Sequence, residues 1–287
     1  MGLYYKYLYY FLLGNVDVLN NLGTGATFKE LSSTKLKDLE LPLPSFPEQK
    51  RIVTILDETF AALETVVANT EKNLANAREL FAGYLNSVFA SNIDTWNQKK
   101  LGDVCENLDS KRVPITKSKR KPGKVPYYGA SGIVDYVQDY LFDEDLLLVS
   151  EDGANLLART YPIAFSISGK SWVNNHAHVL RFRNFESQKF IEYYLNSISL
   201  APHVSGMAQP KLNQKALNSI AIPFPSIEIQ SEIVEELDHL SVQTKELRRI
   251  YQQKLSVLVE LKQSLLQKAF SGELTANPDA PIKEAAA

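Results

Sequence analysis

The amino-acid sequence predicts an α+β protein in which one mostly β domain lies between two long helices that pair with each other. Two segments of the 287-residue chain repeat each other at a separation of 181 residues. A long proline-free stretch begins in each copy, and short apolar runs fill the sequence between them. Adjacent solenoid units have periods of only roughly 20 to 50 residues. The repeat therefore indicates a duplicated frame around a separate domain.

The repeat aligns without a gap when Gly25 is placed on Gly206. The further matched pairs are Leu31 with Leu212, Leu36 with Leu217, Pro42 with Pro223, Pro44 with Pro225, Ser45 with Ser226, Gln49 with Gln230, Ile52 with Ile233, Val53 with Val234, Leu56 with Leu237, and Asp57 with Asp238. In the first copy, leucines alternate with polar residues and prolines over 39–43, which predicts a strand-like piece. Ser45 and Glu48 then have the spacing of a helix capping box.

Each copy continues into a predicted helix, over residues 45–91 and 226–272. A helix of about 45 residues is roughly 67 Å long. Apolar residues recur at steps of three and four, which is typical of a coiled-coil seam. The two seams are Ile52, Leu56, Thr59, Leu63, Val66, Thr70, Asn73, Ala77, Leu80 and Tyr84, and Ile233, Leu237, Leu240, Thr244, Leu247, Tyr251, Lys254, Leu258, Leu261 and Leu265. The polar members Asn73 and Lys254 are predicted to fix the register. The alternative is that each helix packs only on its own globular neighbour.

The domain between the helices is predicted to cover residues 92–225. Its runs 125–128, 133–136, 146–149, 163–167 and 179–182 are apolar or aromatic and are separated by glycine and Asp/Asn clusters. This pattern predicts strands, with one helix near residues 188–199. Residues 1–44 are predicted to be the remnant of a similar domain, and residues 273–287 a flexible tail.

Composition limits the possible functions. The formal net charge is −2, so nucleic-acid binding requires a local concentration of basic residues. The single cysteine, Cys105, excludes an intrachain disulfide and suits a reducing cytosol. The apolar start, residues 1–13, is too short to span a bilayer and is predicted to belong to a globular domain rather than to a targeting segment. No membrane association is expected.

One stretch of the central domain carries seven basic residues and no acidic one, which indicates a flexible loop able to contact phosphates. These residues are Lys111, Arg112, Lys117, Lys119, Arg120, Lys121 and Lys124. The alternative is a solvated lysine loop without a partner. The expectation is that these side chains bind nucleic-acid phosphates.

Other candidate DNA contacts lie in predicted loops and strands. Gln209 and Lys211 could pair with adenine and with guanine or phosphate, although their loop could equally be a simple turn. Asn174, His176 and His178 alternate, so that one histidine could face a groove. A metal site there is not expected, because the cysteine is distant and no acidic cluster accompanies the histidines.

Two further patterns are interpreted as structural. Tyr127 and Tyr128 could stack on bases, but apolar neighbours favour packing in the core. Residues 164–171 satisfy a relaxed phosphate-loop pattern, yet the sequence after them continues as a strand rather than as a helix. No residues organise a nucleophile or an acid–base pair, so we expect a non-catalytic protein that binds no cofactor.

Several segments resemble the specificity subunits of type I restriction-modification systems. The resemblance is carried by Val125-Pro126-Tyr127-Tyr128-Gly129-Ala130-Ser131-Gly132-Ile133-Val134-Asp135-Tyr136, by Ser150-Glu151-Asp152-Gly153-Ala154-Asn155-Leu156, by Trp172-Val173-Asn174-Asn175-His176-Ala177-His178-Val179-Leu180, by Trp96 with Lys100-Leu101-Gly102-Asp103-Val104, by Pro47-Glu48-Gln49 and by Ala269-Phe270-Ser271-Gly272-Glu273-Leu274. These motifs extend over nearly the whole chain and occur in the family's order.

The resemblance implies a target recognition domain that reads a short DNA half-site, held by two helices that pack antiparallel as a spacer. It implies a cytoplasmic bacterial or archaeal complex with double-stranded DNA, with methylation subunits that carry S-adenosylmethionine, and through them with ATP-driven restriction subunits. The specificity subunit itself is expected to be non-catalytic.

The chain departs from this family in its first 44 residues, where a complete recognition domain is expected. Residues 4–12 resemble residues 187–195, so the start looks like the last third of such a domain. We therefore expect one reading domain, with the other absent or supplied by self-association or by a second specificity fragment. The alternative is a coiled-coil interaction protein that no longer reads DNA, as a silent or partner-sequestering variant.

Overall fold

The structure is a computed structural model that describes residues 2–25, 29–37, 39–92, 95–206 and 209–276. It divides into two compact units, the first formed by residues 1–77 and 246–287 and the second by residues 78–245. The helices in chain order are α1 (Tyr5–Gly14), α2 (Val16–Leu22), α3 (Ser33–Lys37), α4 (Phe46–Asn92), α5 (Leu101–Val104), α6 (Asn155–Ala158), α7 (Phe185–Ser197), α8 (Gln214–Asn218) and α9 (Ile227–Ser271). The expected tail lies mostly in residues 277–287, outside the described residues.

The two long helices, α4 and α9, contain 47 and 45 residues, as the proline-free stretches predict. The predicted cap at the start of α4 is present, because the hydroxyl of Ser45 accepts a hydrogen bond from the Glu48 backbone N–H at 3.4 Å. The predicted fold class is confirmed.

In the first unit, the beginning of α4 shares a core with α1 and with the end of α9. The buried members of this core are Tyr7, Tyr10, Ile52, Val53, Leu56, Phe60, Leu266 and Ala269. Lys262 of α9 lies over the Phe60 ring at 4.8 Å. In the second unit, Leu85 and Phe89 near the end of α4 share a core with Val234 and Leu237 near the start of α9. The helices are therefore antiparallel partners, and the alternative that each packs only on its own neighbour is wrong.

The predicted seam is followed only in part. Asn73 and Lys254 are exposed, and their neighbours Leu74 and Leu255 are half-buried in their place. A straight helix drifts by ∼20° per heptad relative to a 3.5-residue repeat, so a buried stripe moves to the next residue after two or three heptads. Asn73 and Lys254 therefore do not lie in the seam, and the prediction that they fix its register is wrong.

The central domain of the second unit contains three small sheets. Its strands are β1 (Gln98–Lys100), β2 (Glu106–Asn107), β3 (Pro122–Gly129), β4 (Gly132–Val137), β5 (Phe142–Asp143), β6 (Leu146–Ser150), β7 (Ala164–Ile167), β8 (Lys170–Val173), β9 (Ala177–Arg181) and β10 (Ala221–Pro223). The strand orders are β2-β9-β6-β7, β4-β3-β8-β5 and β1-β10. All pairs are antiparallel except β3 with β8.

Strand β6 lies at the centre of this domain, and all five of its residues are buried. A continuous apolar run such as Leu146–Val149 fits a strand that is covered on both faces. Helix α7 covers one side and packs Phe190, Ile191 and Leu195 into the main core. The Asn184 side chain caps this helix by accepting a hydrogen bond from the Ser187 N–H.

The sequence repeat is also a structural repeat. A shift of 181 residues places α3 on α8 and the start of α4 on the start of α9. It also places the backbone bridge between Thr24 and Glu30 on the bridge between Ser205 and Lys211. The duplicated frame is therefore present in three dimensions.

A buried glutamine holds the start of each long helix in the same way. Gln49 donates to the Pro44 carbonyl at 2.9 Å and accepts from the Tyr4 N–H at 2.8 Å. Gln230 donates to the Pro225 carbonyl at 2.8 Å and accepts from the Ser187 hydroxyl at 2.7 Å. About two turns further along each long helix, an aspartate accepts a hydrogen bond from a tyrosine hydroxyl. The donors are Tyr10 to Asp57 and Tyr193 to Asp238.

The two copies differ in the segment before the helix. Ala221–Pro223 pairs with β1, whereas residues 39–43 form no strand in the part of the chain that the structure describes. The strand-like prediction for that segment is wrong, because no strand among the described residues lies beside it to complete a ladder. The Tyr7 hydroxyl instead donates to the Pro42 carbonyl at 2.9 Å.

We predict that Gln230→Ala lowers the free energy of unfolding of the second unit by about 1 to 3 kcal/mol, because it leaves a buried hydroxyl and a buried carbonyl without partners. Both tryptophans, Trp96 and Trp172, belong to this unit, so fluorescence during urea unfolding reports on it. Gln243→Ala, at an exposed position of the same helix, is the control and should change stability by less than about 0.5 kcal/mol. Equal effects of the two substitutions would contradict the role assigned to Gln230.

Candidate DNA interface

A buried cluster of charged side chains lies beside the exposed loops of the central domain. Asp109 follows β2, Arg112 ends the 3₁₀ turn that begins at Asp109, Glu151 follows β6, and His178 belongs to β9. Arg112 donates to the Glu151 carboxylate and to the Ala177 carbonyl, each at 2.7 Å. Only 12% of the Arg112 side chain is exposed, so its charge is compensated inside the protein.

His178 connects this cluster to the loop that closes the domain. Its Nδ1 lies 2.5 Å from the Asp109 carboxylate and its Nε2 lies 2.7 Å from the Leu212 carbonyl oxygen. Burial alone raises the pKa of Asp109, but the hydrogen bonds from His178 and the Val179 N–H, with the charge of Arg112, outweigh it and hold that pKa below its ordinary value.

The expectation that no acidic cluster accompanies the histidines is wrong. Ligand-type atoms of Asp109, Glu151 and His178 lie within 4.8 Å of one another. The same carboxylates, however, already face cations, since Arg112 lies 3.6 Å from Asp109 and Lys211 lies 3.2 Å from Glu151. These two positive charges disfavour a metal ion at this position. The cluster is therefore an ion-pair network that holds the loops together.

The predicted loop residues Gln209 and Lys211 are both exposed beside this network. The loop is closed by paired backbone hydrogen bonds between Ser205 and Lys211. Gly206 has a φ of +83°, and a Cβ there would lie 2.5 Å from the Gln209 carbonyl oxygen, so only glycine fits. The described part of the loop therefore presents Gln209 and Lys211 to solvent. Met207 and Ala208 lie outside the described residues.

The loop after β6 joins this turn. Gly153 donates to the Pro210 carbonyl at 3.0 Å, and Asp152 forms a backbone bridge with Lys211. The Asp152 carboxylate lies 2.8 Å from Nδ1 of His176, whose ring is exposed. The structure therefore brings the loops of His176, Gln209 and Lys211 together, and two acidic residues of the motif that starts at Ser150 contact His176 and Lys211.

Asn174 has a role within the fold. It is buried, and its side-chain oxygen accepts a hydrogen bond from the His176 N–H at 2.8 Å. This hydrogen bond shapes the turn that exposes His176. Its burial removes the amide from solvent, and a direct DNA contact by Asn174 stays a prediction.

The basic stretch is ordered around Arg120 rather than flexible. Arg120 donates to Asp135 at 2.9 Å and to the Ile115 carbonyl at 3.1 Å, and its guanidinium lies 4.3 Å from the centre of the Tyr127 ring. Arg120 and Arg112 are thus engaged in contacts within the fold, and their role as phosphate contacts stays a prediction. The basic residues that remain exposed are Lys111, Lys117, Lys119, Lys121 and Lys124.

The patterns interpreted as structural in the sequence have that role. Tyr127 is buried, and its hydroxyl accepts a hydrogen bond from the Ile115 N–H at 3.1 Å. Residues 164–167 and 170–173 form strands β7 and β8 on either side of a short turn. Strand β8 rather than a helix follows that turn directly, so the phosphate-loop pattern has no structural counterpart there.

Two separate segments of the chain match one known protein family. Residues 3–72 and 93–255 match the family described as type I restriction modification DNA specificity domain. The chain belongs to this family. The two matched parts cover the repeated frame and the central domain, so the match does not depend on a single motif.

Relatives of this specificity chain come from several organisms. A putative type I restriction enzyme specificity subunit of Haemophilus influenzae is 36% identical over 148 residues, 52% of this chain and 38% of that protein. A putative type I specificity subunit of Mycoplasma pneumoniae is 27% identical, with 77% of this chain and 82% of that protein covered. The match to the Haemophilus influenzae subunit thus spans less than two fifths of that protein.

Solved specificity structures show the same fold. One chain, from work on assembly and conformational transition of the type I R-M system, is 20% identical with a TM-score of 0.77 and covers 94% of this chain and 71% of its own length. The S subunit from M. genitalium is 19% identical with a TM-score of 0.55, over 93% of this chain and 73% of its own. Among the described residues of the specificity chain, no helix combines the length and apolarity required to cross a membrane.

We predict that Arg112→Ala destabilises the central domain of this specificity chain by about 3 to 5 kcal/mol, because Glu151 and Asp109 lose the cation that compensates their buried charges. Lys111→Ala is the matched control at the adjacent exposed position and should cost less than about 0.5 kcal/mol. Urea unfolding followed by tryptophan fluorescence measures both variants. An Arg112 variant as stable as the control would show that the ion-pair network does not hold the domain.

Proposed function

We propose that this chain is the DNA sequence-recognition subunit of a type I restriction-modification complex and reads one half-site through residues 92–225. The observation that carries the proposal is that His176, Gln209 and Lys211 are exposed together on loops held by a buried ion-pair network. Rigid support of a few polar side chains is what base recognition requires, because a base contact must keep its register.

The exposed side chains provide chemistry that distinguishes bases. A glutamine amide can form two hydrogen bonds with adenine, and a lysine can donate to guanine or to a phosphate. The exposed lysines of the basic stretch supply phosphate contacts, which add affinity without reading sequence. Charge and base reading are thus divided between two groups of residues.

The long helices serve in assembly. They are antiparallel and share cores with the first segment and with the central domain. Methylation subunits bind to this helical frame, and restriction subunits join the complex through the methylation subunits. We place S-adenosylmethionine and ATP on those partners and no catalytic group on this chain, which acts in the bacterial or archaeal cytoplasm. A second reading domain is supplied by self-association or by another specificity fragment.

Expression of the chain with its cognate methylation subunit, in a host that lacks adenine methylation, should produce methylated adenine at one defined sequence motif. Genome-wide methylation mapping measures this outcome. The matched control is the methylation subunit expressed alone, which should leave that motif unmodified. A motif that appears without this chain, or no motif with it, contradicts the reading function and favours a coiled-coil interaction protein that does not read DNA.

Replacing Lys117, Lys119 and Lys121 by alanine should weaken binding to all DNA sequences alike. The plot of log K against log salt has a negative slope. Each lost phosphate contact makes this slope less steep by about 0.9, so the loss of three contacts makes it less steep by about 2.7. The measurement is the equilibrium binding constant of the complex for duplex DNA, taken between about 50 and 200 mM salt. Over this range the plot of log K against log salt is about linear. The control replaces the exposed Lys50, Lys72 and Lys254 of the long helices. A slope that is unchanged in the first variant would remove these lysines from the interface.

A further inference from the structure

Strand β4 exposes three large apolar or aromatic side chains that the core does not use. Ile133, Val134 and Tyr136 are exposed by 48%, 54% and 53%. The strand lies at the edge of its sheet, in the order β4-β3-β8-β5. An exposed apolar edge strand invites unwanted strand pairing and usually indicates that something covers it.

A bulge produces this exposure. Tyr127 of β3 pairs with Asp135, but the next residue, Tyr128, pairs with Ile133, so Val134 is an extra residue in the ladder. Bulges redirect side chains, and here two consecutive residues point away from the core. Gly129 accommodates Val134, because a Cβ at Gly129 would lie 3.0 Å from a Val134 methyl group.

Basic residues border this surface. Asp135, the acidic residue within β4, is paired with Arg120, which together with the Tyr136 N–H and the charge of Lys117 holds the Asp135 pKa below its usual range. The Gln138 N–H donates to the Lys121 carbonyl at 3.0 Å, so Lys121 lies at the end of β4. The exposed side chains of β4 thus form an apolar surface bordered by lysines. Such a surface is complementary to double-stranded DNA, which has charged phosphates outside and apolar groups within its grooves.

We propose that Ile133, Val134 and Tyr136 contact thymine methyl groups in the major groove while the lysines at the border hold the adjacent phosphates. The thymine C5 methyl is the apolar group that base pairs present in the major groove, and alkyl or aromatic side chains recognise it by contact. This inference rests on the proposed reading function and adds base-specific residues to it. The lysine border disfavours a basic protein surface as the occupant.

The test compares duplexes that carry the mapped half-site with thymine or with deoxyuridine, which lacks only the methyl group. The protein is the complex of this chain with its methylation subunit, and the readout is the equilibrium dissociation constant. Binding by the unmodified complex should weaken about fourfold for each buried methyl that is removed. The variant Ile133→Ser, Val134→Ser, Tyr136→Ser should bind both duplexes equally and at the weaker affinity.

Phe185→Ser is the matched control, because Phe185 is an exposed aromatic residue at the start of α7 in the same unit. It should keep the full difference between thymine and deoxyuridine. An unmodified complex that binds both duplexes equally overturns the proposal, as does a triple variant that retains the difference. Loss of assembly with the methylation subunit, with thymine discrimination intact, instead identifies β4 as a protein contact and also overturns it. Absence of any motif-dependent binding refutes the proposed function rather than this inference.

Discussion

The ion-pair network around Arg112 is the interaction on which the candidate interface depends. It joins four separate parts of the chain, since Arg112 contacts Glu151 and the strand that carries His178, and His178 contacts Asp109 and Leu212. Each charge has a partner of opposite sign, so no ion is buried unpaired. The low dielectric of the interior therefore strengthens the attractions between the partners. The loops that present Gln209 and His176 are therefore fixed from below by buried contacts.

The repeated joint at the start of each long helix gives the fold its second constraint. In both copies a buried glutamine binds the proline carbonyl before the helix and a group at the start of an earlier helix, α1 or α7, and a tyrosine binds an aspartate further along. Two separate hydrogen-bonded points define the direction of a helix relative to what precedes it. In the second unit, this joint sets the orientation of the central domain on α9.

Patterns that depend on local periodicity were predictable from the sequence, whereas contacts between distant residues were not. The alignment of Gln49 with Gln230 indicated the duplicated frame, and the apolar runs indicated the strands. The predicted seam positions Asn73 and Lys254 were wrong, because a fixed heptad repeat ignores the drift of a straight helix. The burial of Arg112 was not predictable, because polarity alone does not show whether a side chain is exposed. Its partner Glu151 lies 39 residues away in the sequence and is brought beside it by the fold.

The two arginines of the basic stretch lie inside the fold, whereas its lysines lie at the surface, and this difference follows from their chemistry. A guanidinium is planar and weakly hydrated, so it can satisfy several acceptors inside a protein, as Arg112 and Arg120 do. An ammonium group is strongly hydrated and remains at the surface, where Lys117, Lys119 and Lys121 are exposed. Changes at surface residues usually alter stability by less than about 0.5 kcal/mol. A domain built in this way can exchange its exposed residues while its buried arginines preserve the fold.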